Sequence, residues 1–141
     1  MTQPTPIHQP RSRILCVDSN SSYLRLCLRE LEPRGLMVEV AATGAEALHH
    51  LRSTRYDLLC LATDLPDLMG MEVLHQLRAD LGLVNLPVVV TSTGNLLDDL
   101  QHIARHPNVV LLRKPFSGVR LAALIKRLLS STPTSPSSGQ A

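Results

Sequence analysis

The sequence predicts an α/β fold, a five-stranded parallel sheet with helices on both faces. Three observations carry this. Apolar runs of four or five residues alternate along the chain with stretches of helical periodicity. The runs are apolar at successive positions rather than at every second one, as strands buried on both faces require. The segments joining runs to helices are short and hold Gly, Pro, Asn or Asp.

Arg13–Val17 (RILCV) reads as the first strand. It ends at Asp18, Ser19 and Asn20, followed by Ser21 and Ser22. Such short polar side chains cap a helix by accepting bonds from its first N–H groups. The helix covers about Tyr23–Glu32, with Leu24, Cys27, Leu28 and Leu31 on one face, and Pro33 and Gly35 end it. Met37–Ala41 is the second strand. Thr43 and Glu46 form a capping box for a helix that ends near Ser53 and turns Ala47, Leu48 and Leu51 inward. Leu58 to Leu61 supplies the central strand. The chain breaks at Pro66 and Gly70 and resumes as a helix over about Met71–Ala79. Leu86 and Pro87 open a fourth strand, Val88–Ser92, rich in β-branched residues. Thr93, Gly94 and Asn95 turn into a helix of about Leu96–Arg105, stopped by Pro107. Val109–Leu112 is the fifth strand. Arg113 to Phe116 then lead into a last helix over about Val119–Leu129. This alternation is that of a flavodoxin-like (βα)5 fold, doubly wound, with strand order 2-1-3-4-5.

The Pro- and Gln-rich residues 1–11 read as a disordered lead-in and the Ser/Pro-rich residues 130–141 as a flexible tail, leaving 12–129 as one domain. Hydrophobic residues make up 44% and charged residues 18%, with a net charge of +2. A nucleic-acid footprint needs stronger or more clustered positive charge, so no nucleic acid is expected. No apolar run reaches spanning length, and the N-terminus lacks the apolar centre of a signal peptide; the expectation is a cytoplasmic protein without a membrane. Cys16, Cys27 and Cys60 lie in apolar surroundings and read as buried, reduced thiols.

The loop after the central strand is where open α/β sheets place their chemistry. Through Pro66 and Gly70 the chain resembles, over about residues 13–129, the receiver domain of bacterial response regulators. The resemblance implies a phosphoryl-accepting aspartate four residues before the proline and eight before the glycine. Both spacings point to Ala62, whose methyl has no oxygen. It also implies two acids after the first strand that hold a divalent metal with the acceptor, a hydroxyl after the fourth strand, and a lysine after the fifth. Those positions are Asp18, Ser19, Ser92 and Lys114 here. Lys114 is followed by Pro115, as in the family, where that bond is usually cis. The aromatic switch position is Leu111. One acid of three remains.

The expectation is therefore a non-enzymatic pseudo-receiver, independent of phosphorylation, acting as a protein-interaction module in two-component signalling. No cofactor is expected, and no tight magnesium site, because too few carboxylates remain. The partner is a protein, or a second copy through the last helix. Receivers commonly use the fourth helix, fifth strand and last helix as a contact face. Here that face would draw on Leu96, Leu97, Val110 and Leu112 where they are exposed, with Arg120, Lys126 and Arg127.

A buried Lys114 ammonium needs a counter-charge, and Asp18 or Asp64 would provide it. Asp64 becomes a displaced acceptor if the strand slips by two residues, a shift that preserves facing. The Ser92–Asn95 loop with Lys114 offers a small-anion or nucleotide sensor, although a plain capped turn accounts for the same residues. His102 and His106 have a metal-pair spacing, but no third ligand is near in sequence, and surface histidines are the simpler reading.

Overall fold

The computed structural model describes residues 11–94, 98, 101 and 103–131. Five strands, β1 (Arg13–Val17), β2 (Met37–Ala41), β3 (Leu58–Ala62), β4 (Val88–Ser92) and β5 (Val109–Arg113), form one sheet in the order β2-β1-β3-β4-β5. All four neighbouring pairs are parallel. The helices are α1 (Ser21–Leu31), α2 (Gly44–Ser53), α3 (Gly70–Ala79) and α4 (Gly118–Ser131), and a 3-10 turn, Glu32–Arg34, follows α1. Asp98, Gln101 and Ile103 are also helical. The rest of the helix expected before Pro107 lies in part outside the described residues, as do residues 1–10 and 132–141.

Each strand feeds two core layers, because alternate side chains point to opposite faces. Leu15, Val17, Leu59, Leu61, Val88 and Val90 pack with Ala47, Leu48 and Leu51 of α2 and Val73, Leu74 and Leu77 of α3. Ile14, Cys16, Leu58, Cys60 and Val89 pack with Cys27 and Leu31 of α1 and Leu121 and Ile125 of α4. All three cysteines are buried and free. The thiols of Cys27 and Cys60, and then burial, push the Cys16 thiol up, which keeps it protonated and unreactive. Among the described residues no helix is long and apolar enough to cross a membrane.

Local chemistry explains the element ends. Asn20 is the α1 cap, its Oδ1 accepting from Ser22 N at 2.8 Å, so the helix starts at Ser21 rather than Tyr23. Thr43 Oγ1 accepts from Glu46 N at 3.1 Å, while Glu46 Oε1 accepts from Ala42 N at 2.7 Å. The return bond of the expected capping box therefore falls one residue early. The Asp67 carboxylate reaches across from the loop after β3 and accepts from Gly44 N and Ala45 N at 2.8 and 2.9 Å. Those backbone bonds hold Asp67 below the usual carboxylate range and pin the loop to the start of α2. Gly70 is required where α3 begins: a Cβ there would stand 2.3 Å from the Ala62 carbonyl oxygen.

Candidate functional site

β1 and β3 are neighbours, yet their chain continuations lead to α1 on one face and α3 on the other. This is the switch point at which doubly wound sheets open a crevice. The last β1–β3 register pair is Val17 with Leu61. One residue further on each strand stand Asp18 and Ala62. Ala62 pairs with Thr91, Ser92 pairs with Arg113, and Lys114 N donates to Ser92 O at 2.9 Å. The sheet thus delivers Asp18, Ala62, Ser92 and Lys114 to one end, the four positions the family resemblance marks on successive strands.

Their side chains form a closed arrangement. Lys114 Nζ donates to Asp18 Oδ2 at 2.6 Å, and Asp18 Oδ1 accepts from Asn20 N at 2.9 Å. Both side chains of the pair are largely buried, 10% and 9% exposed, so the charges are screened little by water. The ammonium also stands 4.1 Å from the centroid of the Tyr23 ring, a cation–π contact. Tyr23 leans on Phe116, with ring centroids 5.2 Å apart. The Lys114–Pro115 peptide bond is cis. Below the pair, a cavity lined in part by Cys16, Asp18, Tyr23, Cys27, Cys60 and Phe116 encloses about 10 Å³, room for roughly one water.

Of the two carboxylates proposed for Lys114, Asp18 is the one bound. Asp64 is exposed in the loop beyond β3, bridged to Met69. β3 stops at Ala62 and keeps its register with both neighbours, so the two-residue slip that would bring Asp64 to that place is not present. Ser19 is exposed. Ser92 is buried, and its Oγ accepts from Gly94 N at 3.0 Å, the bond of a plain turn. Asn95, Leu96, Leu97 and His102 lie outside the described residues. His106 is half-buried, and burial followed by the nearby Arg78 guanidinium lowers its pKa.

The contact face needs correction. Leu112 is 3% exposed and belongs to the core layer with Leu121 and Ile125; α4 folds back over β5 and covers it. Val110 and Leu111 are half-buried, and Leu111 packs on the opposite core layer. Arg120, Lys126 and Arg127 are exposed as expected. Sequence reasoning missed Tyr23 and Phe116. The available signal was scarcity: the chain has two tyrosines, one phenylalanine and no tryptophan, and two of those three rings meet each other, one of them against Lys114.

The donor set does not fit the divalent cation of receiver chemistry. Asp18 is committed to an ammonium and a backbone N–H, Ser19 is neutral, and Ala62 has no side-chain oxygen. Hard cations need several oxygens, and among the described residues no cluster of three His, Cys, Asp or Glu could hold a metal.

A family model described as the response regulator receiver domain matches residues 14–126. Over 118 residues the chain is 32% identical to the aerobic respiration control sensor protein ArcB of Escherichia coli (strain K12), covering 84% of this chain and 15% of the sensor. Over 117 residues it is 36% identical to the transcriptional regulatory protein PrrA of Mycobacterium leprae, covering 83% of this chain and 49% of the regulator. The chain thus spans less than half the length of these two curated relatives. Among solved structures, a CheY-like receiver domain protein from Methanospirillum hungatei JF-1 matches with a TM-score of 0.80 at 24% identity, over 86% of this chain and 96% of that one. The chemotaxis response regulator CheY4 of Vibrio cholerae matches with a TM-score of 0.77 at 24% identity, over 84% and 98%. At that identity the likeness is one of fold.

Proposed function

This chain belongs to the response regulator receiver domain family, and we propose that within bacterial two-component signalling it acts as a pseudo-receiver, a protein-interaction module that takes no phosphoryl group. One observation supports this reading above the rest: a buried methyl, Ala62, ends β3 beside Asp18. Acceptance of a phosphoryl group needs a nucleophilic oxygen at that spot, and a cation to offset the charge that develops. The first is missing. The lysine that would contribute to the second is already neutralised by Asp18. With no aspartyl-phosphate to favour one conformation, control falls to whatever binds two states unequally, and that is a partner.

Incubation with acetyl phosphate and magnesium, read by intact mass, tests the proposal. No added phosphoryl group is expected. Labelling that disappears in Asp64→Asn would overturn the reading in favour of a displaced acceptor. A thermal shift with a nucleotide and not with beryllofluoride would overturn it in favour of a sensor.

A further inference from the structure

Charge is unevenly divided between the two faces of the sheet. The described side chains of α4 include Arg120, Lys126 and Arg127 and no acid, while α1 and the 3-10 turn after it, on the same face, add Arg25, Arg29 and Arg34 against Glu30 and Glu32. Glu46, Asp64, Asp67, Glu72 and Asp80 all belong to α2, α3 and their flanking loops, on the other face. Along α4, beside the 3-10 turn, runs a groove of about 560 Å³. Leu36, Val119, Ala123 and Leu129 give it an apolar lining, and Arg34 and Lys126 line it with positive charge. Val119 is 65% exposed, an uncommon state for a branched apolar side chain. Val119, Ala123, Lys126 and Ser130 lie three or four residues apart and so form one stripe, about 16 Å long at 1.5 Å per residue.

We propose that this groove receives an acidic amphipathic helix of a partner protein. Its apolar residues at i, i+4 and i+7 would lie on the stripe, and its carboxylates would face Lys126 and Arg34. Lys126 has no ion-pair partner among the described residues; Arg34 donates to the Glu30 carbonyl oxygen, and its ion pair with the Glu30 carboxylate, at 3.3 Å, is exposed and weak. Residues 1–10 and 132–141 do not match this chemistry, since they contain no Asp or Glu. A second copy matches poorly as well, because α2 and α3 already bury their apolar stripes in the core. The inference rests on the reading of the chain as an interaction module and adds the place and the chemistry of the partner.

The test is selection of a displayed library of helix-forming peptides, about 16 residues each, on the full chain. Enrichment of peptides with acidic residues and an apolar stripe is expected. Their affinity should fall about tenfold or more for Val119→Lys and for Lys126→Glu, both at exposed positions that leave the fold intact. Enrichment of neutral or basic peptides, no enrichment, or equal binding to Val119→Lys overturns the proposal. So does a dimer of the unmodified protein in sedimentation that Val119→Lys dissociates, since the occupant is then a second copy. Phosphoryl labelling of the chain would sink the pseudo-receiver reading and leave the groove result standing.

Discussion

Lys114 Nζ and Asp18 Oδ2 lie 2.6 Å apart although 96 residues separate them in the chain. The pair sits between the first and last strand ends, under the Tyr23 ring, and it takes the charge that relatives of this fold direct at a phosphoryl group. Burial makes it a sensitive point. Lys114→Met leaves the Asp18 carboxylate buried without its cation and should lower unfolding free energy by about 3–5 kcal/mol. Adding Asp18→Leu should restore most of that loss, because two apolar groups need no partner. Urea denaturation of the two variants decides; a Lys114→Met protein within about 1 kcal/mol of the parent would mean that the pair anchors nothing.

On the pseudo-receiver reading, restoring the chemistry needs two changes. Ala62→Asp alone places a carboxylate next to Asp18, where like charges repel and only Lys114 offsets them; the melting temperature should fall at neutral pH. Ser19→Asp with Ala62→Asp rebuilds three acids at the sheet end. That double variant should take a phosphoryl group from acetyl phosphate with magnesium, seen by intact mass, while the parent and Ser19→Asp do not. A folded double variant that stays unlabelled would show that more than the missing oxygens silences the site.

A second polar cluster sets pH limits on stability. The Tyr56 hydroxyl donates to Glu39 Oε1, and Arg13 pairs with Glu39 Oε2 at 2.6 Å. The Tyr56 bond, then Arg13, holds Glu39 below the usual carboxyl range, while burial and the Glu39 bond push Tyr56 up to about 12. A phenol whose folded pKa exceeds its unfolded 10.0 contributes fully below pH 10 and loses that contribution as pH rises toward 12. Glu39 has the opposite sign: its contribution is present above its unfolded 4.5 and fades as pH drops through the lower folded value. Tyr56→Phe should cost about 1 kcal/mol at pH 7, and the difference from the parent should shrink from pH 10 upward. A difference that stays constant to pH 12 in urea titrations would refute the linkage.

Gly70 tolerates no side chain. An added Cβ would meet the Ala62 carbonyl oxygen at 2.3 Å and Thr63 Cα at 2.8 Å, both backbone atoms. Backbone yields less readily than a side-chain tip, so Gly70→Ala should destabilise by more than about 2 kcal/mol. It should also broaden amide signals of the loop between β3 and α3, which Asp67 fastens to α2. A Gly70→Ala protein with parental stability would mean that α3 can move away from the sheet at little cost.

Much of this was readable from the chain alone. All five strands were placed to within one residue because burial on both faces leaves uninterrupted apolar runs, a property of neighbouring residues. Ala62 could be assigned for a similar reason, since Pro66 and Gly70 are fixed distances away in the same loop. Helix starts were less certain. Asn20, Ser21 and Ser22 can each cap a helix, and only the geometry of Asn20 chose among them. Whether Leu112 is exposed is not legible in the sequence, because a β5 side chain does not reveal which face α4 will cover; the fold buries it.

The sequence by itself determined which groups exist: one carboxylate after β1, a methyl at the end of β3, and one lysine after β5. Tertiary structure decided which of them meet. Strand order sets residues 18 and 114 side by side, leaves Asp64 in solvent, and brings the Tyr23 ring, backed by Phe116, against the ammonium. Charge is a property of a residue, whereas pairing is a property of distance, and distances across a sheet are set by register and twist rather than by any local preference of the chain.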